Sequence, residues 1–238
     1  MKPQISFKAL PAAARLLVIL FGVAGMAAII FAFSLQPVFA YGRLILLAAI
    51  AMVSARAKVN LYRGSTISFL TCVVLLAVIR EGPAIAVLLA VCGVSVQTFL
   101  PSRKLVLHQL TFNIGMIALT VLATWWTYRF IAHTQVIETL SADLTATILA
   151  SFIYFLGNSL SVSLIVSVSQ KISMLHIWSH HFVYSAPSFL IAGLLSLGIT
   201  GLTSTHLLLT AAAVLMVIFL GYYYSVKFVN GRIHESSN

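Results

Sequence analysis

The chain has 238 residues, 61% of them hydrophobic and only 8% charged, with a mean hydropathy of +1.07. A soluble domain carries about 25% charged residues. This chain therefore lacks the polar surface that a soluble enzyme, a free nucleic-acid-binding domain or a disordered chain requires. Lys and Arg number 14 against 4 Asp and Glu, for a net charge of +10. The basic residues fall in the gaps between apolar runs, which makes them an orientation signal and not a nucleic-acid footprint. The composition implies an all-α fold, a polytopic transmembrane helical bundle.

Eight apolar segments are predicted in chain order. Lys2, Lys8 and Arg15 lead into the first, 15–35, which is longer than the 7–15 apolar residues of a signal peptide and reads as a retained span. The second (44–55) and third (67–79) are short for a membrane some 30 Å thick. They cross a thinned region, extend past these bounds, or are broken and re-entrant inside the bundle. The turn Gly82-Pro83 separates the third from the fourth (84–100), and Gly64-Ser65-Thr66 offers the third an N-cap. The fifth (105–128) and sixth (144–169) reach full spanning length. The seventh (184–202) and eighth (206–226) follow a longer loop at 170–183. Residues 1–14 and 227–238 are the expected cytoplasmic ends of a membrane domain over 15–226.

The charges test this layout. With both termini in the cytoplasm, the inner side holds Lys2, Lys8, Arg15, Arg56, Lys58, Arg63, Arg103, Lys104, Lys171, Lys227 and Arg232, and the outer side only Arg43, Arg80 and Arg129. Eleven against three is a strong positive-inside bias. Deleting any single span inverts everything downstream of it. Removing the second and third together preserves parity, so six spans is the alternative. The expected setting is the bacterial cytoplasmic (inner) membrane, with the lipid bilayer as the principal partner and anionic headgroups near Arg103-Lys104 and Arg56, Lys58 and Arg63.

Polar groups inside the apolar segments are the candidate site. Thr147, Ser151, Tyr154, Asn158 and Ser161 recur at three- and four-residue spacing and share one face of the sixth segment. Asn113 in the fifth lies at a depth similar to that of Asn158, which predicts that the two amides meet. Gln97 in the fourth is a third amide in the same half. Buried amides in a bilayer find partners, so helix–helix contacts account for them as readily as a ligand does. Arg80 and Glu81 form an ionisable turn, either a site for a substrate carboxylate or proton or an interfacial turn wetted by water. Small residues that permit close helix packing are Gly22 with Gly25, Ala24 with Ala28, and Ala51 with Ala55.

Chemistry-bearing motifs are sparse. Cys72 and Cys92 lie in apolar runs and read as small buried hydrophobes, with no CxxC and no zinc spacing. His176, His180 and His181 cluster with Trp178, and with Phe182 and Tyr184 they read as an interfacial belt; no metal site or cofactor is expected. There is no GxSxG, P-loop or HExxH, and four acids leave a His as the sole candidate base for an enzyme acting on lipid. A non-enzymatic role is the reading preferred.

Three stretches carry a resemblance. They are Gly64-Ser65-Thr66-Ile67-Ser68 running to Gly82-Pro83-Ala84; Phe112-Asn113-Ile114-Gly115; and Tyr154-Phe155-Leu156-Gly157-Asn158-Ser159 followed by Trp178 and Ser185-Ala186-Pro187-Ser188. Over about residues 44–226 the chain resembles the membrane-embedded sensor domains found N-terminal to bacterial HD-GYP and GGDEF signalling proteins. The resemblance implies a cytoplasmic C-terminus leading into an output domain. The chain departs from that pattern in ending at Asn238, and in having Met116 and His180-His181 where polar and charged residues are usual. The third and fourth segments are also similar to the substrate-binding S components of energy-coupling-factor vitamin transporters, with Ala24 and Ala28 as the nearest match to their partner-docking alanines. The expectation is a sensor-like domain that binds a small or lipophilic ligand within the bundle and signals to a membrane or cytoplasmic protein partner. A transporter component and a structural subunit of a larger membrane complex are the alternatives.

Overall fold

The computed structural model describes residues 7–36, 41–56, 58–60, 66–99, 106–133 and 140–202. A 3-10 turn at Phe7–Ala9 leads into α1 (Ala12–Leu35). Then come α2 (Tyr41–Ser54), two three-residue strands β1 (Lys58–Asn60) and β2 (Thr66–Ser68), α3 (Phe69–Arg80) and α4 (Pro83–Phe99). The long helices α5 (Leu107–His133) and α6 (Leu140–Gln170) follow. The short α7 (Met174–His181) passes through a 3-10 turn at Val183–Ser185 into α8 (Ala186–Leu202).

The fold is helical, and four stretches are long and apolar enough to cross a membrane: Ala12–Leu35, Leu107–His133, Ala142–Gln170 and Met174–Gly201. The remaining apolar helices, α2, α3 and α4, have 14, 12 and 17 residues. At 1.5 Å per residue these rise about 21, 18 and 26 Å, short of the roughly 30 Å hydrocarbon core. Each of the first seven predicted segments has its helix, but eight full-length spans are not what the described residues contain. The predicted eighth, 206–226, lies outside them, as do residues 1–6 and the tail.

Helices of one end meet one another. Leu10, His108, Ser169 and Gln170 converge, so α1 and α5 begin where α6 finishes; this is the proximal end. At the opposite, distal end the Tyr128 hydroxyl donates to Asp143 Oδ1 (3.2 Å), and the α3–α4 turn sits against Gln36, just past the end of α1. The chain thus runs up α1, α3 and α5 and down α4 and α6. On α1 and α5 glycines bring the backbones together: a Cβ on Gly25 would run into Gly115 Cα, and one on Gly115 into the Phe21 carbonyl. Gly157 of α6 abuts the Thr120 side chain of α5, and Gly193 of α8 abuts Ser151 of α6.

The pattern of burial is that of a membrane protein. α1 turns Ala14, Val18, Gly25, Ala28 and Ala32 inward and leaves Leu16 (57% exposed), Val23 (67%) and Ile30 (65%) outward. Large side chains outside and small ones inside suit lipid, which supplies no hydrophobic drive between helices and rewards close packing. The interior correspondingly holds hydroxyls: Thr120, Thr124, Thr147, Ser151, Ser159, Ser163 and Ser196 are all buried. Ser54, Ser95, Thr98, Thr124, Ser151, Ser196 and Thr200 donate to the carbonyl four residues back, which satisfies them within their own helix.

α3 occupies the centre, in contact with α2, α4, α5 and α8. Every residue from Phe69 to Val78 is buried, as befits a helix that is apolar all round. The N-cap expected at Gly64-Ser65-Thr66 is displaced: Thr66–Ser68 is extended and pairs antiparallel with β1, Val59 opposite Ile67, and the helix starts at Phe69. The loop expected over 170–183 contains α7, and α6 begins four residues before the expected 144.

Candidate functional site

The proximal end contains a cavity of about 240 Å³ between α1, α5 and α6. Leu10 and Val18 border it from the α1 side, His108, Gln109, Phe112 and Asn113 from α5, and Ile165, Val166, Ser169 and Gln170 from α6. The helical period explains the mixture. On α5, positions 108, 109, 112 and 113 form one face, and on α6 positions 165, 166, 169 and 170 do the same. α5 contributes His108 and Gln109 from its first turn and α6 contributes Ser169 and Gln170 from its last, while Val18, Phe112, Asn113, Ile165 and Val166 lie deeper. The His108 ring also lies against Phe7 of the 3-10 turn, centroids 5.9 Å apart, which ties the segment before α1 to the cavity wall.

Asn113 is held in place from the other side. Its Nδ2 donates to Thr98 Oγ1 on α4 (3.0 Å), whose hydroxyl donates in turn to Val94 O (2.8 Å). The amide therefore both joins helices and lines a cavity. Arg15, in the first turn of α1 and half-buried, has a buried Nε with no hydrogen-bond partner among the described residues.

Asn158 does not meet Asn113. The contact of Gly157 with Thr120 sets the register of α5 against α6, and Asn113 falls opposite Ile165 and Val166 instead. Asn158 and Ser161 are half-buried further along α6. The rest of the predicted stripe is packed: Ser151 donates to Thr147 O (2.7 Å) and presses on Gly193, and the buried Tyr154 ring rests against Phe189, centroids 5.8 Å apart. Of the six predicted ligand contacts, Asn113 alone is a wall of this cavity. Gln97 is half-buried on α4 beside Thr98. No comparison with family models, curated proteins or solved structures finds a match for this chain.

The ionisable turn is at the distal end. Arg80 and Glu81 are half-buried. The Glu81 and Gly82 amides both donate to Ala77 O (2.8 and 3.1 Å), and Gly82 takes φ +99°, a conformation that favours glycine. Gln36 clamps the turn: its Nε2 donates to Glu81 O (2.7 Å) and its Oε1 accepts from Ala84 N (3.2 Å). One amide thus serves an orphan carbonyl of α3 and an orphan N–H of α4. In the sequence the only signal for this role is a polar residue at the end of an apolar run, just before Pro37.

The histidine cluster is on α7. The His176 and His180 rings stack with centroids 4.2 Å apart, and His180 Nδ1 lies 3.0 Å from His176 O and 3.1 Å from Ser179 Oγ. Trp178 turns the other way and donates from Nε1 to Ser159 Oγ (3.0 Å), with its ring 6.2 Å from Phe155. Trp178 is thus a tether of α7 to α6 as well as an aromatic. Among the described residues no three His, Cys, Asp or Glu side chains come together as metal ligands.

Proposed function

We propose that this chain is a non-enzymatic, sensor-like integral membrane protein that binds a small or lipophilic ligand in the proximal cavity and passes its state to a protein partner. The observation that carries the reading is the cavity itself. It has an apolar floor and a few convergent polar groups, the character of a ligand site, and three separate helices wall it. A ligand that favours one packing of α1 against α5 and α6 shifts the population of that packing, which is the requirement for signalling.

The proposal places the proximal end in the cytoplasm of a bacterial inner membrane, with both termini there and eight crossings in all. The distribution of the 14 basic residues supports that orientation. The cavity then opens towards the cytoplasmic leaflet, close to the segments that reach a partner. Crosslinking of the full chain in native membranes, with Ile165→Trp to fill the cavity, tests the reading. Partner capture that changes in that variant supports it; capture that is identical with and without the cavity counts against it. Solute uptake into proteoliposomes would instead favour a transporter component.

A further inference from the structure

The proximal cavity has a charge environment that names a ligand class, and the argument rests on reading the cavity as the ligand site. Three cations lie within three residues of its lining in the chain. Arg15 is one turn before the wall residue Val18, and its Nε is buried with no hydrogen-bond partner among the described residues. Lys8 is two residues from Leu10, and Lys171 directly follows Gln170; both are exposed. The two acids among the described residues are far off at the distal end: Glu81 in the turn clamped by Gln36, and Asp143 beside Tyr128. The chain's other acids, Glu138 and Glu235, lie outside the described residues. Positive charge at the rim is thus not neutralised by any described carboxylate.

The floor below that rim is apolar, formed by Val18, Phe112 and Ile165. Val18 belongs to a helix whose neighbouring positions Leu16, Ile19 and Leu20 face outward. A cavity of about 240 Å³ is smaller than the roughly 300–1,000 Å³ that encloses a drug-sized ligand. That size suits part of an amphiphile whose chains remain in the bilayer. We propose that the cavity takes the headgroup of an anionic membrane phospholipid, its phosphate at the Arg15 side of the rim, its glycerol region against Asn113, and its acyl chains leaving along α1. Basic groups at a cytoplasmic leaflet attract such lipids, and a guanidinium matches a phosphate in shape as well as charge.

The test is native mass spectrometry of the full chain in mild detergent, offered phosphatidylglycerol, phosphatidylcholine or free glycerol phosphate. The expected result is at least a fivefold preference for phosphatidylglycerol over phosphatidylcholine, falling below twofold in Arg15→Gln. The double variant Lys8→Gln/Lys171→Gln, at exposed positions, lowers the preference at least twofold and keeps the test open if Arg15→Gln fails to fold. Free glycerol phosphate binds at least tenfold more weakly than the lipid. Equal binding of the two lipids, or an undiminished preference in every charge variant, overturns the proposal. Glycerol phosphate binding as tightly as the lipid overturns it in favour of a soluble phosphate compound. Ile165→Trp separates the two readings: loss of a neutral copurifying ligand without any lipid preference keeps the ligand site and removes the anionic lipid. A full preference for phosphatidylglycerol in Ile165→Trp puts the lipid outside the cavity and overturns the assignment.

Discussion

At the residue scale, single atoms decide how closely the helices approach. Gly25 and Gly115 face one another where any Cβ meets backbone, so neither neighbour can yield by rotating a side chain. Gly115→Leu is expected to destabilise by about 1–3 kcal/mol or more through overpacking. A thermal melt in detergent reads the loss, and an unchanged midpoint would mean that α1 and α5 are not in contact there. Gln36 offers a second test. Gln36→Ala leaves a carbonyl and an N–H at the α3–α4 turn without their partner, at about 1–2 kcal/mol. Gln36→Glu is the instructive variant: it keeps an acceptor for Ala84 N but sets a carboxylate oxygen against the Glu81 carbonyl in place of the donor, so its stability should fall to or below that of Gln36→Ala.

At the element scale, much of the architecture was legible. Gly82-Pro83 announced the α3–α4 turn because a positive φ and a missing N–H suit a helix break and restart. Asn113 and Asn158 stay apart because the helix ends set them at different depths. α6 finishes at Gln170 and α5 begins at Leu107, so the two amides lie roughly 9 and 18 Å from the proximal end, a difference of nearly two turns. Helix α7 was hidden because an eight-residue helix with Trp and His at its centre has too little apolar length to stand out. It depends on its tether. Trp178→Phe, which removes the donor to Ser159 Oγ, is expected to cost about 1 kcal/mol and to raise amide exchange across 174–181 more than across α5. Equal protection in the variant would show that the ring's packing on Phe155 suffices.

At the scale of the whole molecule, the arrangement of ends is the feature to test. Lys8 and Lys171 share the proximal end, and Glu81 sits at the distal one. In a background without Cys72 and Cys92, single cysteines at positions 8 and 171 should react with an impermeant maleimide from the same side of the membrane. A cysteine at 81 should react from the opposite side. Labelling of 8 and 171 from different sides would break the proposed orientation. The native thiols are themselves informative, since Cys72 is buried in α3 while Cys92 on α4 is partly accessible. Labelling of Cys92 ahead of Cys72 is the expected order in the intact protein. Ala28 is buried in the bundle, whereas Ala24 on the same helix is exposed.

The Gln36 clamp also bears on how the protein is made. The residue that closes α1 grips a turn 45 positions later in the chain. During synthesis, then, the first helix enters the bilayer with its distal fastening still unmade. That fastening can form only when the α3–α4 turn has reached the same end of the bundle. α3 rises only about 18 Å, so its placement depends on neighbours that are themselves incomplete at that moment. Assembly of this bundle is therefore a matter of timing as well as of affinity: the amide at position 36 waits on the arrival of residues 81–84, and a delay there leaves α1 without its latch.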